Sequence, residues 1–265
     1  MLELIPVVLT AATLIGYLTG LRQLRRRQIR WPIGRTACLL AGSACVMVAV
    51  LPPMALHDEL FPVHISQHLL LGMAGPALLA LSAPITLALR TLPLPPRRAL
   101  LRLLHSRTVE IITAPATAVL LDIGGHYVLY LTGLYAHAGN NDLIHAAVHL
   151  HMFFAGCLLS WAIIGIDPIR HRPGFPTRIG VLIIAGAAHD TLSKLMYAHD
   201  LPAGGGPIAD RHHGAMLMYY GGTVIDLALA TVLMVQWWRV SGRILARADR
   251  RASRTHAASA RSAVH

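Results

Sequence analysis

Long apolar stretches alternate with short polar connections along the chain. Seven stretches are almost entirely hydrophobic, and they cover residues 2–21, 36–51, 65–89, 109–131, 143–166, 179–198 and 215–238. A helix needs about 20 such residues to cross a hydrocarbon core of about 30 Å. The stretches are continuously apolar, whereas the strands of a membrane barrel alternate apolar and polar residues. The pattern therefore predicts an all-α integral membrane protein, a bundle of seven transmembrane helices.

The composition leaves no room for a separate soluble domain. The 265 residues are 55% hydrophobic and 13% charged, and the connections between the stretches are short. We predict a seven-helix transmembrane domain over residues 1–238 and a basic, disordered cytoplasmic tail over residues 239–265. No cation precedes the first stretch and no clear cleavage site follows it, so we interpret it as a retained helix rather than a signal peptide.

Basic residues are concentrated in alternate connections. Of the 23 Lys and Arg residues, 21 follow the first, third, fifth or seventh stretch; Arg211 lies in the other set of connections and Lys194 within the sixth stretch. The positive-inside rule then places the N-terminus outside and the tail in the cytoplasm. We expect a multi-pass protein of a bacterial cytoplasmic membrane. Its net charge of +11 is explained by topology and contact with anionic lipid, so no nucleic-acid partner is needed.

Histidine follows the opposite distribution. Of the 16 His residues, 12 lie either within the predicted spans or in the connections on the outer side of the membrane. His64 and His68 are four residues apart, as are His145 and His149, each pair at the outer start of a helix. Residues at this spacing share one helical face, so each pair could offer two nitrogens to one ion. His151 follows closely but points elsewhere on its helix. The alternative is that these are boundary residues with a hydrated polar edge.

Ionisable residues within the predicted spans also indicate function, because burying charge in a bilayer is costly. Asp122 and His126 are four residues apart, a spacing that lets a carboxylate orient a metal-binding imidazole. The others of this group are His189, Asp190, Lys194 and Asp226. Asp190 and Lys194 could instead form a neutralising ion pair. No catalytic template is recognisable in the sequence, so we do not expect an enzyme.

Two segments resemble signatures of the CtaG family of caa3-type cytochrome c oxidase assembly factors. Residues 64–84 read HISQHLLLGMAGPALLALSAP, with paired histidines, a proline in mid-helix and a closing small residue before proline. Residues 150–168 begin with Leu-His-Met-Phe and end with Gly-Ile-Asp-Pro. His189 and Asp210 occupy places where the family has a His and an outer Asp. The chain departs from the family pattern in residues 211–218 and at Met152, where the commoner residue is Phe.

This resemblance implies a role in maturing haem-copper oxidase, by helping copper to reach the oxidase on the outer side of the membrane. The implied partners are oxidase subunits and an extracytoplasmic copper donor. We expect a transient copper site, and its candidate ligands are His64, His68, His126, His145, His149, His151 and His189.

The residues alone leave three other interpretations open. Histidine pairs on facing helices could ligate haem, as in a b-type cytochrome. The intramembrane ionisable residues could serve a copper or proton transporter. An assembly factor could also act as a scaffold that binds oxidase subunits without metal.

Overall fold

A computed structural model of the chain describes residues 5–52, 54–57, 59–168 and 173–262, without the side chains of residue 6 and residues 244–262. The chain is 84% helical, and no β-strand occurs in the described ranges. The helices are α1 (Ile5–Arg26), α2 (Ile33–Val50), α3 (Phe61–Gln67), α4 (Gly75–Ser82), α5 (Pro84–Thr91), α6 (Leu94–Leu104), α7 (Arg107–Ile112), α8 (Pro115–Leu131), α9 (Leu134–Gly139), α10 (Asp142–Ile164), α11 (Phe175–Ala198) and α12 (Ile208–Ser262).

The predicted all-helical class is confirmed. Six helical segments among the described residues are long and apolar enough to cross a membrane: Val7–Arg26, Ile33–Leu56, Phe61–Thr91, Asp142–Ile164, Phe175–Ala198 and Ile208–Arg243. The fourth predicted span, residues 109–131, corresponds to α7 and α8. Since α8 has 17 residues, it falls just short of the length of these six. Seven spans and the orientation of the termini therefore stay predictions.

The backbone of the C-terminal region is helical where the structure describes it, and the disordered cytoplasmic tail over residues 239–265 stays a prediction. Helix α12 continues through the described part of residues 239–265, as far as Ser262. Alanine and arginine recur along this segment, and both are strong helix formers, which explains the continuation.

The third long span is not a uniform α-helix. A π-helical segment, His68–Ala74, joins α3 to α4, and the Gly75 N–H donates to the Leu70 carbonyl oxygen. Pro76 has no N–H to donate to the Gly72 carbonyl four residues earlier. That carbonyl lies so close to α10 that a Cβ at Gly156 would overlap it. Gly72 and Pro76 of the 64–84 motif thus allow the π-helical segment to pack directly against α10.

The Gly-Ile-Asp-Pro signature connects two helix ends, at the opposite end of α10 from His145 and His149. Asp167, only 1% exposed, accepts hydrogen bonds from the Thr86 N–H at 2.8 Å and the Thr86 hydroxyl at 2.6 Å. Its other carboxylate oxygen accepts from Trp161 Nε1 at 3.1 Å. Thr86 lies in the first turn of α5 and Trp161 in the last turn of α10. Asp167 therefore caps α5 and holds it against the end of α10.

A buried arginine caps the same end of α10. Arg178, in the first turn of α11, donates to the carbonyl oxygens of Ile163 and Ile164 and to Gln236 Oε1 at 2.6 Å. A cation at a helix C-terminus is favoured by the helix dipole. The apolar pattern assigns Arg178 to the connection after the fifth stretch, but the structure places its side chain inside the bundle.

Candidate metal centre

The structure sorts the seven candidate ligands into two groups and one separate residue. The first group, here called the shallow trio, consists of His64, His145 and His149. The second, the deep trio, consists of His68, His126 and His189, which are joined by short contacts between their rings. His151 is exposed, and its Nε2 lies 2.9 Å from the Leu121 carbonyl oxygen on α8.

Local sequence signals fix the helix starts that position the shallow trio. Asn141 caps α10, and its side-chain oxygen accepts from the N–H groups of Leu143 at 3.0 Å and Ile144 at 3.1 Å. His145 and His149 follow on one face of the first two turns. Helix α3 begins with proline in its first turn, where the missing N–H costs nothing.

The shallow trio brings three ring nitrogens together. One nitrogen from each imidazole lies within 4.8 Å of the other two. His64 is 3% exposed and His149 is 6% exposed, and the Nε2 atom of each has no hydrogen-bond partner among the described residues. A buried polar atom without a partner costs about 1–3 kcal/mol. Three nitrogens at about 2.0 Å from one ion are about 3.3–3.5 Å apart, so any two that lie near the 4.8 Å limit would have to close by about 1 Å to share it.

A cavity of about 370 Å³ leads to the shallow trio. Among the residues that line it are His64 and His145, together with the acidic residues Glu59 and Asp142. Carboxylates at the mouth of a cavity raise the local concentration of cations. The cavity thus reaches His64 and His145, whereas the Nε2 atoms of His64 and His149 are themselves buried.

Aromatic side chains pack around His64, and one of them, Tyr135, also lines this cavity. The Phe61 ring stacks with the imidazole at a centroid distance of 6.4 Å. Tyr135 and Tyr130 present their edges to it at 5.0 Å and 6.0 Å. Because Phe61 and Tyr130 are fully buried, these rings hold the imidazole in place and exclude water behind it.

The deep trio forms a hydrogen-bonded chain with a defined direction. His126 Nδ1 lies 2.6 Å from the Asp122 carbonyl oxygen, which can only accept, so this nitrogen donates. In a neutral ring, His126 Nε2 then accepts from His68 Nδ1 at 3.0 Å. The remaining nitrogen of His68, Nε2, presents its lone pair to His189 Nε2 at 3.4 Å.

The main-chain carbonyl oxygen of Asp122 is closer to His126 than the carboxylate of the same residue is. The Asp122 Oδ2 atom is 4.0 Å from His126 Nδ1, against 2.6 Å for the carbonyl oxygen of the same residue. The four-residue spacing thus pairs the two residues, but the main chain provides the shorter contact.

The other ionisable residues of the predicted spans lie outside both trios. Lys194 Nζ lies 5.1 Å from the centre of the Tyr219 ring, a cation–π contact. Asp226 lies beside Gly186, where a Cβ would be 2.8 Å from its carboxylate. Asp190 has a buried oxygen with no hydrogen-bond partner in the described ranges.

Sequence reasoning missed Tyr130, which lies between the two trios. Its ring is 6.0 Å from that of His64 and 6.2 Å from that of His126, and its buried hydroxyl has no hydrogen-bond partner in the described part of the chain. Tyr130 is four residues after His126, just as His126 follows Asp122. That repeated spacing is the signal that would have found it.

The sequence model of one protein family, described as cytochrome c oxidase caa3 assembly factor, matches residues 15–240. The chain belongs to this family. The predicted resemblance is confirmed, and the match includes all seven candidate ligands. The match to the family does not by itself assign a role to any of these histidines.

Curated mycobacterial proteins are also similar to the chain. Uncharacterized protein Mb0105 of Mycobacterium bovis is 35% identical over 263 residues, and uncharacterized protein ML1998 of Mycobacterium leprae is 32% identical over 263 residues. In both cases the alignment covers 92% of this chain and 40% of the relative. The chain thus spans about 40% of the length of these relatives. No solved structure matches it.

Proposed function

We propose that this chain binds copper at the shallow trio and passes it to cytochrome c oxidase during assembly of that enzyme. The proposal joins the role of the family, oxidase assembly, to the shallow trio, where one nitrogen of each of three imidazoles lies within 4.8 Å of the other two. Copper is here a cargo, and the trio is a place where it is held for a short time.

The unpartnered Nε2 atoms of His64 and His149 are the observation that carries the proposal. Imidazole binds copper, zinc, nickel and iron, and the oxidase role of the family selects copper among them. Three neutral ligands at the end of a cavity leave a position open, as exchangeable metal sites require. The ion enters past Glu59 and Asp142 and leaves by ligand exchange with a partner.

The packing favours a small ion over haem. The ring centroids of His64 and His149 are 5.8 Å apart, and those of His68 and His126 are 4.3 Å apart. Two imidazoles that ligate one haem iron point at each other end-on from opposite faces of the porphyrin. The His64 and His149 rings instead stack at 23°, and the His68 and His126 rings are joined directly by a hydrogen bond at 3.0 Å.

The proposed topology has seven spans, with the N-terminus and the histidines outside the cytoplasmic membrane. Seventeen residues of α8 extend about 25 Å, close to the thickness of the hydrocarbon core. His64 near the start of α3 contacts His149 near the start of α10. The chain crosses once through α3–α5, so a second crossing by α8 returns it to the level at which α10 begins. This supports α8 as the seventh span.

Copper binding by the purified chain tests the proposal. Under anaerobic conditions, Cu(I) is titrated against a colorimetric chelator in the presence of the detergent-solubilised protein. We expect His64→Ala and His149→Ala each to weaken binding at the shallow trio at least tenfold, since each removes a ligand.

His151→Ala is the matched control, because His151 lies on α10 two residues from His149 but faces the α8 backbone. We expect it to leave copper affinity unchanged. Failure of the unaltered chain to bind copper would exclude the proposal. So would an affinity that is lost with His151 and unaffected by the trio.

A further inference from the structure

The spacing of His68 and His189 suits a shared ion better than a hydrogen bond. Their Nε2 atoms are 3.4 Å apart. Hydrogen bonds between protein groups cluster near about 2.9–3.0 Å. Two nitrogens at about 2.0 Å from a tetrahedral metal ion are about 3.3 Å apart.

The other side of His68 has the support that metal-binding imidazoles need. Its Nδ1–H donates to His126 Nε2, and His126 Nδ1–H donates to the Asp122 carbonyl oxygen. A ligating histidine commonly donates its second N–H in this way, which fixes the tautomer and makes the ligating nitrogen more basic. His126 is thus a positioning residue whose partners aim the His68 lone pair at His189.

The position of the His189 ring, which faces His68 from α11, is also fixed by its surroundings. It is 3% exposed, and its Nδ1 has no hydrogen-bond partner within the described residues. A Cβ at Gly222 of α12 would overlap this imidazole, so a glycine is required there to admit the ring. His189 therefore presents Nε2 to His68, while its Nδ1 lies buried with no partner in the described part of the chain.

Tyr130 joins the two trios. Its ring stacks with His126 at 17° and meets His64 edge-on. Its hydroxyl is buried without a partner in the described ranges. A ring that contacts a histidine of each trio thus carries a buried hydroxyl that is available to an ion or to water.

We infer that His68 and His189 form a second copper site, deeper in the bundle, to which the ion moves from the shallow trio. This inference rests on the proposed copper-handling function. Each position has few ligands, so an ion held at either one can exchange to the next. The chain then binds two copper ions when it is saturated.

Copper stoichiometry tests the second site. Cu(I) is titrated anaerobically into the purified chain with a competing chelator, and both the number of ions and their affinities are fitted. We expect two ions in the unaltered chain and one in His189→Ala, with the shallow affinity unchanged. We expect His126→Ala to keep both ions but to weaken one of them about 10–100-fold, the usual effect of losing the hydrogen-bond partner of a ligand.

His68→Ala tests the same site from the opposite helix, and thermal unfolding shows which variants fold. One ion in either folded variant supports the inference, and two ions in a folded variant overturn it. If the unaltered chain binds a single ion that is lost in His149→Ala, the proposed function stands and the second site is excluded. If the unaltered chain binds no copper, the proposed function itself fails.

Discussion

Single residues decide how closely the broken helix approaches α10. The carbonyl oxygen of Gly72 occupies the position where a Cβ of Gly156 would lie. The same π-helical segment begins at His68, and residue 152, one turn before Gly156, packs beside Gly72. The glycine contact therefore sets the distance between α10, which carries His145 and His149, and the segment that begins at His68.

Gly156→Ala is expected to destabilise the protein because the added methyl group overlaps the Gly72 carbonyl oxygen. Overpacking of this kind costs about 1–3 kcal/mol. Thermal unfolding in detergent measures the effect as a lower Tm.

Gly180→Ala is the matched control, since Gly180 is also helical and has nothing within 4 Å of its added Cβ. Alanine is the better helix former by about 1 kcal/mol, so we expect an unchanged or higher Tm. Equal Tm values for the two variants would contradict the close contact.

Residue spacing predicted the shallow trio only in part. His145 and His149 do face one centre, as their four-residue spacing indicates. His64 and His68 have the same spacing, and the members of both pairs are about 6 Å apart along the helix axis. In the third span, however, that step brings the two residues to different neighbours: His64 meets the first turns of α10, and His68 meets α8 and α11. Neighbours of this kind depend on packing, which one sequence does not reveal.

At the scale of elements, the helix ends are held by buried polar side chains rather than by apolar contact alone. Asp167 satisfies two donors of Thr86 and one of Trp161. Carboxylate hydrogen bonds at buried sites are among the stronger ones. The Asp of the family signature therefore has a structural role in this fold. The cap keeps α4 and α5, and with them the π-helical segment, in register with α10.

Asp167→Ala is expected to lower the free energy of unfolding by about 3 kcal/mol, because it removes three hydrogen bonds and leaves buried donors unsatisfied. Thr86→Val removes only the hydroxyl and keeps the N–H, so its cost is about 1 kcal/mol. Tm values of the two variants and of the double variant measure this. A double variant whose loss equals the sum of the single losses would show that the two residues do not interact.

Element boundaries were predictable where a single physical signal dominates. The apolar stretches all coincide with helices, since length and hydropathy specify a membrane helix. Two departures have local causes that the apolar pattern does not contain. Pro76 and the glycines around it replace a uniform helix with a π-helical segment, and alanine and arginine extend α12 beyond the apolar region.

At the scale of the whole molecule, the histidine cavity and the buried arginine lie at opposite ends of α10. The shallow cavity, with its two carboxylates, lies at the end where α3 and α10 begin. The buried Arg178 and the Asp167 cap lie at the other end of α10. This polarity fits the orientation that the arginine distribution predicts.

Cysteine labelling of intact cells tests the seven-span topology. Ala99 of α6 and Asn140 before α10 are both exposed, and α8 lies between them. With a membrane-impermeant maleimide, we expect Asn140→Cys to react in intact cells and Ala99→Cys only after permeabilisation. The background is a chain whose three own cysteines are replaced by serine. Labelling of both positions from the same side would show that α8 does not cross the membrane.

The copper content of cytochrome c oxidase tests the central claim most directly. In the bacterium that encodes this chain, its own copy is replaced by a His64→Ala/His149→Ala variant, with His151→Ala as the control, and the ratio of copper to haem is measured in the purified oxidase. We predict copper-deficient oxidase with the double variant at a normal level of the variant protein, and fully loaded oxidase with the control. Fully loaded oxidase in cells that carry the double variant would contradict the account.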